Sequence, residues 1–96
     1  MGVRSEPILI TRIENRNGEV IWQAKSESKR VMEAQHAYQI IELLKGVVDQ
    51  GTAMRLRFRY KFRNEIGGKT GTTQNQSDGW FIGVTPELVT GVWVGA

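Results

Sequence analysis

The sequence predicts an α+β fold: an antiparallel sheet with one packed helix and an N-terminal hairpin. Three observations lead to this prediction. Asn17-Gly18 separates two strand-like runs near the start, apolar residues recur at helical spacing in the middle, and further strand-like runs with a short connection follow. With 96 residues the chain has the size of one domain at most.

The first predicted element is a β-hairpin over residues 7–24. Pro7 opens a run rich in isoleucine, and Glu19 opens a second run after the Asn-Gly pair. Asn-Gly between two such runs is the strongest short-range hairpin signal. The polar stretch 25–30, which carries two serines, predicts a loop.

The second predicted element is a helix over residues 33–50. Gly51 follows it, and glycine is favoured in the left-handed position past a helix end. We expect His36 to lie on the helix surface or to be partly packed, rather than to bind a ligand. Apolar side chains at three- to four-residue spacing form one stripe of this helix: Ala34, Ala37, Tyr38, Ile41, Leu44 and Val48.

The last predicted region, residues 66–94, contains three strands at about 69–73, 80–84 and 89–94. The short connection between the last two favours antiparallel pairing. The tryptophans are expected to lie in the core, with Trp80 packed beneath the sheet. These tryptophans are Trp22, Trp80 and Trp93.

Composition excludes several kinds of site. The chain is 40% hydrophobic and 24% charged, which is typical of globular proteins. It contains no cysteine and one histidine, so disulfides, cysteine-based zinc sites, iron–sulfur clusters and thiol nucleophiles are excluded. We therefore expect no metal site and no cofactor. No apolar run approaches the roughly 20 residues that span a bilayer.

Residues 55–63 concentrate the basic character of the chain, with five positive charges alternating with four apolar residues. The strict period of two predicts a strand with one apolar face and one solvated charged face. The alternative is a strand that binds RNA or another anionic polymer, with aromatic side chains available for stacking. We favour the first interpretation.

The segment Gly67-Gly68-Lys69-Thr70-Gly71 is not a phosphate-binding loop. That motif requires a further glycine at position 63, where the sequence has Arg63. Lys-Thr-Gly on a strand suits a different chemistry, because glycine allows a ligand backbone to approach the strand edge closely. Threonine hydroxyls can then hold a carboxylate beside the positive charge of the lysine.

The wider pattern resembles a known family. The segments that carry the resemblance are 9–13, 49–53, 67–75 with Gly-Lys-Thr-Gly-Thr-Thr, 77–83 with Trp-Phe-Ile-Gly, and 92–95. Together they resemble the C-terminal end of the transpeptidase domain of bifunctional penicillin-binding proteins, the type 1A kind. The resemblance covers nearly the whole chain and implies a partial β-lactamase/transpeptidase-like fold.

The resemblance also implies roles for the matching residues. Lys69 would be catalytic, since it would assist proton transfer and place charge in the active site. Thr72 would be catalytic through its backbone N–H, one half of the oxyanion hole. The hydroxyls of Thr70 and Thr72 would bind the carboxylate of the substrate, and Gly71 would keep the strand edge open.

Two motifs of the family are missing. Ser26 and Lys29 satisfy Ser-x-x-Lys formally, but they lie in a polar connector rather than at the start of a buried helix, and no Ser-x-Asn occurs. We therefore expect residues 1–96 to be a C-terminal fragment of a transpeptidase domain, inactive alone.

The resemblance implies a parent protein and its partners. The parent would be a serine D,D-transpeptidase with a glycosyltransferase domain, anchored in the cell membrane and facing the periplasm or the exterior. It would act on peptidoglycan stem peptides and β-lactams and not on nucleic acid, whereas the fragment would be soluble. Two alternatives remain open: a small nucleic-acid-binding module that uses residues 55–63, and a non-catalytic structural module.

Overall fold

The structure, a computed structural model, describes residues 1–95. The chain divides into two compact units, Met1–Ala37 and a larger unit that begins at Tyr38. The described residues form antiparallel sheets and one long helix, which confirms the α+β prediction at that level.

The first unit holds two separate two-stranded antiparallel sheets. Strand β1 pairs with β4, and β2 pairs with β3. Strand β4 corrects the prediction of a loop over residues 25–30. Its partner lies more than 20 residues away at the N-terminus, so local polarity gives no sign of the pairing. The strands are β1 (Val3–Ser5), β2 (Arg12–Glu14), β3 (Val20–Gln23) and β4 (Ser28–Arg30).

The hairpin formed by β2 and β3 lies inside the predicted range 7–24, but its strands are shorter. Its turn depends on Asn15, whose side-chain oxygen accepts hydrogen bonds from the backbone N–H groups of Asn17 at 2.9 Å and Glu19 at 3.0 Å. Gly18 has a φ of +82°, a conformation that glycine adopts without steric cost. The Asn-Gly pair therefore marks the turn as expected.

The long helix α1 spans Ala34–Asp49, one residue shorter at each end than predicted. Its residue Val48 is fully buried, and His36 is exposed as expected. Gly51 corrects the prediction of a left-handed residue, because its φ is not positive. A Cβ at Gly51 would instead lie 2.9 Å from Val47 Cα, so glycine is required by close approach.

The basic stretch 55–63 is not a strand, which corrects the sequence prediction. It contains the short helix α2 (Arg55–Phe58) followed by an irregular segment. The guanidinium of Arg57 donates to Asp49 Oδ1 at 2.8 Å and to the carbonyls of Phe62 at 2.9 Å and Asn64 at 2.7 Å. These bonds hold the segment folded back on the end of α1, and this local order overrides the two-residue period.

The second unit contains a three-stranded antiparallel sheet in the order β5-β6-β7. Its register places Lys69 opposite Ile82, and Trp80 opposite Trp93. The three strands agree closely with the three that the sequence predicts. They are β5 (Gly67–Thr72), β6 (Asp78–Val84) and β7 (Val89–Gly95).

Little apolar surface is buried. Among the described residues the buried hydrophobic ones are Val48 and Ala53. The tryptophans are about half exposed, at 49% for Trp22, 48% for Trp80 and 54% for Trp93, which corrects their assignment to the core. The chain exposes 8417 Å², whereas two compact units of these sizes would together expose about 6,700 Å².

Gly68 provides a test of packing within the sheet. A Cβ at Gly68 would lie 2.7 Å from Phe81 Cζ and 2.8 Å from the Ile82 carbonyl oxygen. We expect Gly68→Ala to destabilise the protein by about 1–3 kcal/mol through overpacking. Gly46 in α1 is the matched control, because a Cβ there meets nothing within 4 Å. Gly46→Ala should stabilise by up to about 1 kcal/mol, and equal effects in urea unfolding would contradict the prediction.

Arg57 provides a test of the basic segment. We expect Arg57→Ala to lower the free energy of unfolding by about 1–3 kcal/mol, because two carbonyls and a carboxylate lose their donor. The control Arg63→Ala changes an exposed cation and should stay within about 0.5 kcal/mol. Thermal unfolding measures both, and similar melting temperatures for the two variants would show that Arg57 does not organise the segment.

Candidate functional site

The candidate residues Lys69, Thr70, Gly71 and Thr72 lie on β5. One edge of β5 pairs with β6 from Gly67 to Thr72, and no strand pairs with its other edge within residues 1–95. Side chains alternate between the faces of a strand, so Thr70 and Thr72 share one face while Lys69 lies on the opposite face. The site is therefore built along an open strand edge.

The ammonium group of Lys69 folds back onto its own strand. Its Nζ donates to the backbone carbonyl of Thr70 at 2.9 Å and reaches Thr70 Oγ1 at 3.4 Å. Lys69 is exposed and Thr70 is partly buried. The positive charge thus lies next to a threonine hydroxyl and remains accessible to a ligand.

Thr70 has a second polar neighbour, Thr52, in the loop after α1. The two Oγ1 atoms lie 3.0 Å apart, a hydrogen bond in which either hydroxyl can be the donor. The Thr70 hydroxyl is therefore contacted both by the ammonium of Lys69 and by the hydroxyl of Thr52.

A hollow of about 280 Å³ lies beside the threonines. Gly79, opposite Thr72, contributes no side chain and leaves space between β5 and β7. The hollow is lined by Thr70, Gly71, Thr72, Gly79, Trp80, Phe81, Val92 and Val94.

The start of β5 is held against α1. A Cβ at Gly67 would lie 3.1 Å from Leu44 Cβ, so the strand approaches the helix closely. Lys45 Nζ donates to Glu65 Oε1 at 2.9 Å and to Glu42 Oε1 at 3.0 Å. Hydrogen bonds to Glu65 and then Glu42 raise the pKa of Lys45, and the bond from Lys45 lowers the pKa of Glu65.

The end of β5 is held by a polar network around Asp78. Trp93 Nε1 donates to Asp78 Oδ1 at 3.0 Å, while the hydroxyls of Thr73 at 3.0 Å and Ser77 at 3.2 Å donate to Oδ2. The hydrogen bond from Trp93, followed by that from Thr73, lowers the pKa of Asp78. This network fixes the turn that follows Thr72.

The structure places the rejected serine motif apart from any helix. Ser26 lies in the irregular segment before β4, and Lys29 lies on β4. Sequence reasoning missed Thr52 and Asp78 as neighbours of the site. Both lie inside segments that carry the family resemblance, but the contact of Thr52 with Thr70 and that of Asp78 with Trp93 join residues 15 or more positions apart and leave no local pattern.

Two further features of the described residues concern metals and membranes. Residues 1–95 contain no cluster of three or more histidine, cysteine, aspartate or glutamate side chains that could hold a metal ion. The helices in this part of the chain are too short or too polar to cross a membrane.

Comparison with known proteins identifies the family to which the chain belongs. Residues 1–96 match the family model described as the penicillin binding protein transpeptidase domain. The chain belongs to this family, as the resemblance of its motifs implied.

Individual relatives agree with the family match. The chain is 38% identical over 93 residues to penicillin-binding protein 1A of Clostridium novyi, which covers 97% of the chain and 11% of the relative. It is 37% identical over 95 residues to penicillin-binding protein 1A of Aquifex aeolicus, covering 99% of the chain and 13% of the relative. Penicillin-binding protein 1B of Buchnera aphidicola is 35% identical over 94 residues, covering 98% of the chain and 13% of the relative. The chain thus spans between a tenth and a seventh of these relatives.

The network around Asp78 predicts a pH dependence. Because the pKa of folded Asp78 lies below its ordinary value of 3.8, its ionised form stabilises the fold above that pH. This contribution should disappear as the pH falls from 3.8 through the lowered pKa. Trp93→Phe removes the principal donor and should move the Asp78 titration upward, as followed by carboxyl chemical shifts. Trp22→Phe is the control, and an equal shift in both variants would contradict the assignment.

Proposed function

We propose that this chain is the part of a peptidoglycan D,D-transpeptidase domain that carries the Lys-Thr-Gly strand. The observation that supports this most strongly is the juxtaposition on β5 of the Lys69 ammonium, the Thr70 hydroxyl and an open strand edge. Membership of the penicillin-binding protein transpeptidase family supports the same reaction class.

The proposed reaction is acyl transfer through a serine ester. The serine oxygen attacks the carbonyl carbon of the peptide bond that is cleaved in the stem peptide, its proton passes to a base, and the C–N bond breaks as the leaving amine takes up a proton. An amine of a second stem peptide then attacks the ester, gives up a proton and releases the serine. In a β-lactam the C–N bond of the ring breaks instead, and the leaving amine stays attached.

The strand edge supplies the stabilisation that this reaction requires. In a strand, the N–H and C=O groups of residues i and i+2 point toward the same edge. The carbonyl of Thr70 accepts a hydrogen bond from the Lys69 ammonium, so this ammonium lies at the edge toward which Thr70 and Thr72 point. The N–H of Thr72 therefore belongs to the same edge as the ammonium. In the proposed site this N–H donates to the developing oxyanion while Lys69 supplies positive charge and assists proton transfer.

The same residues account for recognition of the substrate carboxylate. Thr70 and Thr72 lie on one face of β5, and both line the hollow of about 280 Å³. Their hydroxyls can donate to a carboxylate whose charge is balanced by Lys69. Gly71 lies between them and lets the ligand approach the backbone. Thr70, Gly71 and Thr72 are the proposed substrate-binding residues.

The nucleophile is proposed to come from a part of the protein outside this chain. Ser26 and Lys29 lie in an irregular segment and on β4, so no helical turn brings the lysine over the serine hydroxyl. The chain spans 11–13% of the relatives described above, which leaves room for the Ser-x-x-Lys and Ser-x-Asn motifs in a longer protein. Alone, the chain should not acylate.

A nucleic-acid-binding function is not favoured. This function was predicted from a row of cations along a strand over residues 55–63. In the structure that segment is instead a short helix with an irregular continuation. Arg57, the second of the five cations, is engaged by Asp49 and two backbone carbonyls. We propose instead that the longer protein is anchored in the cell membrane and meets stem peptides and β-lactams on its outer face.

The proposal is tested by penicillin acylation of the full-length protein. Lys69→Ala should slow acylation by roughly 100- to 1,000-fold, which is the effect of losing one group that stabilises the oxyanion. Thr72→Ala should slow it less, because the backbone N–H remains. Ser26→Ala is the control and should acylate normally.

The intact mass of each protein identifies the outcome. A penicillin adduct on the 96-residue chain, or normal acylation of Lys69→Ala, would overturn the proposed function. Loss of acylation in Ser26→Ala would identify Ser26 as the nucleophile.

A further inference from the structure

We infer that Thr52 is a positioning residue that orients the hydroxyl of Thr70 toward the substrate carboxylate. The inference rests on the proposed function and adds a residue to its site. It starts from the 3.0 Å contact between Thr52 Oγ1 and Thr70 Oγ1. Thr52 belongs to the loop after α1 and lies 18 positions from Thr70 in sequence.

The argument depends on how many hydrogen bonds a hydroxyl can make. A threonine hydroxyl has one hydrogen to donate and two lone pairs that accept. The ammonium of Lys69 has only hydrogens to donate, so it occupies one lone pair of Thr70 Oγ1 at 3.4 Å. If Thr52 donates to the second lone pair, the hydrogen of Thr70 is left for another acceptor.

A carboxylate is the acceptor that this arrangement suits. Ionised carboxylates accept hydrogen bonds and donate none, and the hollow beside Thr70 is open to a ligand. With both lone pairs filled, the Thr70 hydroxyl can act toward the ligand only as a donor. With Thr52 as the donor of this pair, the donating orientation of the Thr70 hydroxyl is set before the substrate arrives, which reduces the cost of ordering the hydroxyl on binding.

The loop that carries Thr52 is held firmly enough for this role. Its neighbour Ala53 is buried with 7% exposure, and the backbone N–H groups of Gly51 and Ala53 both donate to the Val47 carbonyl at 3.1 Å. A Cβ at Gly51 would lie 2.9 Å from Val47 Cα, so the chain has little freedom before Thr52. The hydroxyl of Thr52 is therefore presented from a fixed backbone.

The test compares a penicillin with its methyl ester, in which the carboxylate is neutral, as acylating agents of the full-length protein. Thr52→Val removes the hydroxyl and keeps the shape of the side chain. We expect acylation by the penicillin to slow by roughly three- to tenfold, the effect of one neutral hydrogen bond, whereas acylation by the ester stays within about twofold. Thr52→Ser restores the hydroxyl and should restore the rate with penicillin.

Controls separate this role from a structural one. Thr90→Val makes the same substitution at an exposed position on β7 and should leave both rates unchanged. Equal slowing of penicillin and ester in Thr52→Val, together with a lower melting temperature, would assign Thr52 a structural role and overturn the inference. If Thr52→Val does not fold, Thr52→Ala provides the same ratio of rates.

Lys69→Ala distinguishes failure of the inference from failure of the proposed function. If Lys69→Ala loses acylation while Thr52→Val reacts with penicillin as the unchanged protein does, the inference alone is overturned. If Lys69→Ala acylates normally, the site itself is wrongly assigned and both fail. The inference and the proposed function are both supported if Lys69→Ala is acylated more slowly by penicillin and by its ester, and Thr52→Val is acylated more slowly by penicillin alone.

Discussion

The site depends on the close approach of a glycine backbone to its neighbours at the start of β5. Gly67 and Gly68 are buried. A Cβ at Gly68 would lie 2.7 Å from Phe81 Cζ, too close for a side chain, and one at Gly67 would crowd Leu44 Cβ at 3.1 Å. Lys69 and Thr70 follow directly. Their positions are therefore fixed by packing of the preceding backbone, which is more precise than a flexible loop could be.

Polar contacts add to this packing along the strand, and they differ in strength. The ion pair of Lys45 with Glu65 holds the approach to β5, but Glu65 has 64% of its side-chain surface exposed, and such exposed pairs contribute little. The hydroxyl contact between Thr52 and Thr70 acts in the middle, and the Asp78 network acts at the end. Close packing therefore sets the position of β5, and the polar groups add hydrogen bonds along its length.

The sequence could predict those elements whose signal is local. The helix over Ala34–Asp49 and the strands β5 to β7 follow from apolar periodicity and short connections. The pairing of β1 with β4 could not be predicted, because residues far apart in sequence create it. The segment 55–63 shows the opposite failure. Its two-residue period is present in the sequence, yet the segment is a short helix with an irregular continuation, held against the end of α1 by the bonds of Arg57. The tryptophans were wrongly assigned to the core. Apolar character shows that a side chain favours burial, but it does not show whether other residues are placed to bury it.

The residues of the candidate site could be singled out from the sequence, but the contacts that support them could not. The tripeptide Lys69-Thr70-Gly71 and its flanks could be singled out as a motif, whereas the partner of Thr70 could be found only in three dimensions. The tryptophans are about half exposed and one edge of β5 is unpaired within residues 1–95. Both features are consistent with a chain that spans 11–13% of the relatives described above. An oxyanion hole requires converging donors, and in our proposal β5 supplies one of them through Thr72. In the same proposal the rest of the protein supplies the second donor and the Ser-x-x-Lys and Ser-x-Asn motifs, and Gly67 and Gly68 hold β5 in place to meet them. The chain would therefore contribute the rigid half of the proposed active site.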